Sequence, residues 1–134
     1  MNFEFIVEEN FKNIIYYDCE NLYKYIEEGK IKNIINITES IIKAIIIYYF
    51  IYHSQDKISM KKILNFDLKE LMELGYSKKI CNINSMSLYN DLQILKIEID
   101  PNNVSKYSLN RLKNIVVNLI IEITKDINFA CKIY

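Results

Sequence analysis

The residues of this sequence that could do chemistry fall in three places. The first is the segment Lys96-Ile97-Glu98-Ile99-Asp100-Pro101, which brings one cation and two carboxylates together. A cation and carboxylates are groups that catalysis can use, but they make no complete catalytic constellation. The second is His53, the single histidine. It stands where a helix is expected to end, a position that favours an imidazole through the helix dipole. No Ser or Cys lies at a spacing that makes it part of a triad. The third is the set Cys19, Cys81 and Cys131, odd in number and without C-x-x-C spacing. They read as reduced thiols rather than a disulfide framework. With one histidine they make a poor zinc set, so no metal and no cofactor are expected. Cys19 and Cys131 fall on apolar stripes and read as core.

Tyrosine is the other conspicuous side chain. Tyr16, Tyr17, Tyr23, Tyr25, Tyr48, Tyr49 and Tyr52 concentrate in the first part of the chain. A phenol suits an interface, where the ring is covered and the hydroxyl keeps a hydrogen bond. Tyr16, Tyr17, Tyr48, Tyr49 and Tyr52 are therefore the expected contact residues. The competing explanation is composition. Ile, Asn, Lys and Tyr are all abundant and lysine outnumbers arginine sixteen to one, the bias of an AT-rich coding genome.

These residues must be positioned by helices. The chain has two glycines and one proline, too few for a turn-rich β architecture. Apolar residues recur at steps of three and four in Phe11, Ile14, Ile15, Cys19, Leu22 and Ile26, which predicts a helix over 8–28 closed by Gly29. A second helix is expected over 31–53. Its stretch from Ala44 to Tyr52 is apolar on all sides, which suits a central helix or one that also meets a partner. Ser54-Gln55-Asp56-Lys57 reads as a loop and residues 59–64 as a short helix. Asp67 and Glu70 have the spacing of a capping box for a helix closed by Gly75. A polar loop is expected over 76–84. Ser85 or Ser87 should cap a helix carrying Leu88, Leu92, Leu95 and Ile99, and Asp100-Pro101 should break it. Ser105 or Ser108 should cap a last helix striped by Leu109, Leu112, Ile115, Val116, Leu119, Ile120, Ile123 and Ile127. Phe3, Phe5 and Val7 alternate, suggesting a short extended arm over 1–7 or the start of the first helix. The expectation is one all-α domain over 1–134, a bundle of about five helices.

A helix ending at Asp100-Pro101 followed by a long C-terminal helix resembles the HEPN superfamily of small helical bundles. Many of its members are ribonucleases of toxin, abortive-infection and CRISPR systems. The resemblance covers about residues 31–127, with Leu64 to Gly75 similar to the family's linking helices, and it lies in layout and periodicity. The family signature is an Arg, often followed by Asn, then a His roughly a helical turn later, often before Pro. Lys96 stands at the Arg position, Ile97 at the Asn position and Asp100 at the His position; only Pro101 matches. The resemblance therefore implies a bundle whose ribonuclease motif is degenerate. A carboxylate at 100 repels phosphate, and Lys96 lacks arginine's bidentate fork.

The expected function is a non-catalytic helical interaction protein, HEPN-like and associated with microbial defence or toxin–antitoxin systems. It would act as a homodimer or on a protein partner through its first two helices. One alternative is a small inhibitor or immunity protein: bacteriocin immunity, phage anti-defence or viral Bcl-2-like. Another is a ribonuclease with a non-standard site drawn from Lys96, Glu98 and Asp100. Seventeen basic residues balance seventeen acidic ones, so nucleic acid is not an expected partner. The start, Met1-Asn2-Phe3-Glu4-Phe5, lacks the basic character of a signal peptide, and the longest apolar run is shorter than a membrane span. The expectation is a cytoplasmic protein, in the host-cell cytoplasm if viral, without membrane contact.

Overall fold

In the computed structural model, residues 2–55 and 58–133 are described, the side chain of residue 133 excepted. They form six helices and no strand: α1 (Glu9–Glu28), α2 (Ile31–Tyr52), α3 (Met60–Leu64), α4 (Leu68–Ser77), α5 (Ile83–Glu98) and α6 (Lys106–Ile133). The short helix expected over 59–64 is present as α3, capped by the Ser59 hydroxyl, and counting it brings the bundle to six. Met1, Asp56, Lys57 and Tyr134 lie outside the described residues. Of the loop expected from Ser54 to Lys57, only Ser54 and Gln55 are placed, in non-helical backbone.

The helix ends follow from local chemistry. Glu8 caps α1 by accepting from the Phe11 amide at 2.8 Å. Gly29 ends α1 in the left-handed region at φ 66°, which glycine adopts without a Cβ penalty. The capping box of α4 is present in both directions: Asp67 accepts from the Glu70 amide at 2.8 Å, and Glu70 accepts from the Asp67 amide at 3.2 Å. Ser105 caps α6 through the Ser108 amide at 3.0 Å.

The α4–α5 connection departs from the sequence expectation. Gly75 does not end α4; it lies buried in the last turn, which continues to Ser77. The chain reverses at Lys79, in the left-handed region at φ 63°. Ile80 and Cys81 then donate their amides back to the Gly75 carbonyl at 2.9 and 3.1 Å. The missing side chain of Gly75 serves this close return, since a Cβ there would sit 2.7 Å from Cys81 Sγ. The expected loop over 76–84 is accordingly shorter. Asn82, not Ser85 or Ser87, caps α5 by accepting from the Ser85 amide at 2.9 Å.

The bundle is arranged around α2. α1 and α6 pack most extensively on it, α3 and α4 also touch it, and α5 lies on α6. Ile34, Ile41, Ile42, Ile45, Ile46 and Tyr48 of α2 are fully buried, as are Leu112, Val116, Leu119, Ile120, Ile123 and Ile127 of α6. The run from Ile45 to Phe50 is thus covered by the chain itself. By length and apolarity alone α2 also passes for a membrane span, at mean hydropathy 1.7 over its most apolar window, of which 61% is buried inside the bundle. A core helix of this composition meets the same criterion.

The N-terminal arm is not extended. It makes a tight turn with the Ile6 amide bonded to the Phe3 carbonyl at 3.0 Å. Phe3 and Ile6 point into the core and Val7 points to solvent, so the alternation of Phe3, Phe5 and Val7 is not realised.

The Gly75 contact generates a prediction. Alanine for glycine inside a helix gains about 1 kcal/mol of propensity. Forcing a methyl against a packed neighbour costs about 1–3 kcal/mol. Chemical denaturation should therefore show Gly75→Ala destabilised by about 1 kcal/mol, and stabilised by a similar amount when introduced into a Cys81→Ala background.

Candidate functional site

The segment that carries the family resemblance sits at the end of α5. Each of its polar side chains has a structural partner. Lys96 reaches across to α2 and pairs with Glu39 at 3.3 Å, while also contacting Gln93 at 3.5 Å. Glu98 pairs with Arg111 of α6 at 3.1 Å, so the one arginine of the chain clamps α5 to α6. Asp100 accepts the Asn102 amide at 2.9 Å, and its carbonyl accepts the Asn103 amide at 3.1 Å. Such a turn is the ordinary role of Asp before Pro. Pro101 is exposed beside it. The three charged groups thus face two different helices and a turn. Among the described residues, no three of His, Cys, Asp and Glu come together as a metal set.

The cysteines are held inert. Burial pushes the thiol of Cys19 up to about 11, that of Cys81 to about 12 and that of Cys131 to about 11. Thiols in that range stay protonated at neutral pH and are poor nucleophiles.

The five tyrosines expected at an interface divide into three groups. Tyr48 is fully buried and Tyr49 nearly so. The Tyr48 hydroxyl accepts the Val7 amide at 3.2 Å, lies 3.4 Å from the Phe5 carbonyl, and sits 3.1 Å from His53 Nε2. It therefore ties the N-terminal arm to α2. His53 is the C-cap residue of α2, its amide bonded to the Tyr49 carbonyl at 2.8 Å, and its ring stacks on the Tyr49 ring. Tyr16 is half-buried; its hydroxyl accepts the Phe3 amide at 3.1 Å and donates to Glu4 at 3.3 Å. Tyr17 and Tyr52 remain at the surface, 64% and 49% exposed. The Tyr52 ring packs on Phe11 with centroids 6.0 Å apart. Val7, Ile14 and Tyr23 are exposed as well. The large apolar side chains exposed on the arm and the first two helices are therefore Val7, Ile14, Tyr17, Tyr23 and Tyr52. A core has room for a phenol such as Tyr48 when backbone groups of another segment take up its hydroxyl.

A polar centre that the sequence did not reveal lies where α6 passes the start of α5. Asp126 accepts from the Asn82 amide and the Asn82 side-chain amide, each at 2.9 Å, and from the Ser85 hydroxyl at 2.7 Å. Its carboxylate occupies the α5 N-terminus, where a negative charge is favoured. Burial nonetheless holds its carboxyl above the ordinary value, outweighing the bonds from Asn82 and Ser85 that draw it down. A cleft of about 400 Å³ opens beside it, lined by Lys79, Asn82, Lys125 and Phe129 among others. Because the carboxylate is already engaged by Asn82 and Ser85, the cleft does not present it as a free ligand group. The 44-residue separation of Asn82 and Asp126 leaves no local signal for this arrangement.

Two measurements test these assignments. Tyr48→Phe removes the acceptor of the Val7 amide and should cost about 1–2 kcal/mol. Amide exchange over residues 3–7 should accelerate more than elsewhere; uniform exchange would contradict the tie. Asp126→Asn presents an amide donor where three donors already converge and should cost about 1–3 kcal/mol at neutral pH. The raised carboxyl means that the folded state takes up the proton first as pH falls. That contribution to stability is complete below the unfolded carboxyl's value of about 3.9 and is lost as pH rises through the folded value. Denaturation midpoints followed across this window should lose that component in Asp126→Asn.

Comparison with protein-family models, with curated proteins and with solved structures finds no match to this chain.

Proposed function

We propose that this chain is a non-catalytic helical interaction protein, HEPN-like in layout, that docks a protein partner through the edge formed by α1 and α2. The observation that carries this reading is the set of apolar side chains exposed on the arm, α1 and α2: Val7, Ile14, Tyr17, Tyr23 and Tyr52. Exposed tyrosine and aliphatic side chains give contact area at low conformational cost. A second support is the engagement of the motif positions. Lys96 is paired with Glu39, Glu98 with Arg111, and Asp100 forms a turn, so the charges that would act on RNA are used to join helices. A cytoplasmic defence or toxin–antitoxin setting belongs to this reading through the family resemblance alone.

The experiment has two arms. Labelled single-stranded RNA incubated with the purified protein should remain intact. Cleavage that is lost in Lys96→Ala or Asp100→Ala would replace this reading with that of a ribonuclease with a non-standard site. In the other arm, the immobilised protein is exposed to lysate of its native host. The retained partner should be lost in the double variant Ile14→Asp, Tyr17→Asp, whose substitutions lie at exposed positions. Retention unchanged by these substitutions would remove the α1–α2 edge from the proposal.

A further inference from the structure

α5 carries two apolar stripes on opposite faces. The inner one, Leu92 and Leu95 with Tyr89 and Ser85, faces the bundle and is buried. At 100° per residue, Ile83, Asn90, Ile94 and Ile97 fall on the diametrically opposite line. Ile83, Ile94 and Ile97 are 64%, 50% and 87% exposed, and Asn90 is exposed with them. An ordinary surface helix is polar on that side. No charged residue lies on this line; Asp91 and Glu98 lie to one side of it.

We propose that the chain forms a two-fold homodimer in which α5 packs antiparallel against α5 of a second copy, with Asn90 on the axis. The pattern itself specifies a second copy as the occupant. A two-fold contact requires a surface that is complementary to itself, so that if residue i meets j, then j meets i. Ile83 and Ile97 each stand seven residues from Asn90, on either side of it. Antiparallel pairing about Asn90 sets Ile83 of each copy against Ile97 of the other and Asn90 against Asn90. Ile94 then falls opposite the hole made by Ile83, Met86, Ser87 and Asn90 of the facing helix, a knob-into-hole contact. The stripe's steps of three, four and seven are those of a helix seam. A buried Asn at one seam position fixes register, and two amides facing each other across an axis can hydrogen-bond.

The size of the contact sets its strength. α5 has sixteen residues and is about 24 Å long. One helix pair of that length falls short of the roughly 800 Å² per partner of a standard stable interface. The dimer is therefore weak and concentration-dependent. The two Asp91 side chains approach on the same side of the axis, so added salt should strengthen the dimer rather than weaken it.

Cysteine cross-linking tests the arrangement, since only a residue on the axis meets its own copy. In a Cys131→Ser background, which leaves only the buried Cys19 and Cys81, Asn90→Cys should form a covalent dimer on mild oxidation. Ile83→Cys mixed with Ile97→Cys should give a cross-linked pair, and each alone should give far less. Sedimentation velocity should show reversible dimerisation of the unmodified protein, weakened about tenfold or more in Ile97→Lys and strengthened in Asn90→Leu, where the seam loses its polar residue. Ile83, Asn90 and Ile97 are exposed, Cys131→Ser is a near-isosteric change, and circular dichroism of each variant should match the parent. A monomer at several hundred micromolar with no cross-link at position 90 would overturn the proposal. Self-cross-linking of Ile83→Cys or Ile97→Cys above the mixed pair would do the same, since it indicates a parallel contact.

Discussion

Covering α2 is the constraint on which the rest of the structure depends. Its second half, Ala44-Ile45-Ile46-Ile47-Tyr48-Tyr49-Phe50, has no polar face to leave in water, so the chain must surround it. Isoleucine is a mediocre helix former because its branched Cβ loses rotamer freedom in a helix. Burying one isoleucine side chain is worth about 1.5–3 kcal/mol, several times the propensity loss per residue. Tertiary burial therefore decides that this β-branched run is helical. α1 and α6 supply most of the cover, α3 and α4 add to it, and the N-terminal arm contributes the buried Phe3 and Ile6.

Against this apolar background a few polar contacts set how the helices meet. Tyr48 spends its hydroxyl on the arm backbone, so the arm is held at a defined place rather than only by Phe3 and Ile6. Asp126 takes over the α5 N-terminus from α6, adding a charge to the cap that Asn82 begins. Lys96–Glu39 and Glu98–Arg111 hold the other end of α5 to α2 and α6. Exposed ion pairs of this kind are worth at most about 1 kcal/mol each, so they orient α5 more than they stabilise it. The consequence for function is that the charged side chains best suited to chemistry are committed to joining helices. Exposed apolar side chains are found on α1 and on the outer line of α5 among other places. In a dimer built on α5, each copy would carry its own α1–α2 edge, and the assembly would engage a multivalent partner with higher avidity than either edge alone.

The sequence by itself determined the helices and most of their ends. Apolar steps of three and four located α1, α2, α4, α5 and α6, because a residue's face on a helix depends only on its position in the chain. The Asp67–Glu70 capping box, the stop at Gly29 and the break at Asp100-Pro101 were equally legible, since each is made by residues within a single turn of one another. Only the tertiary structure decided the rest. Gly75 looked like a helix stop until Cys81 was seen to return against it, and Ser85 looked like a cap until Asp126 took its hydroxyl. Tyr17 and Tyr48 are the same side chain in similar sequence surroundings, yet one is exposed and the other tied to the arm. The outer stripe of α5 could not be told from a core stripe before its inner face was placed against α6. Periodicity shows that a face exists. What covers it depends on residues tens of positions away, whose approach is fixed by packing around α2 and leaves no local trace in the sequence.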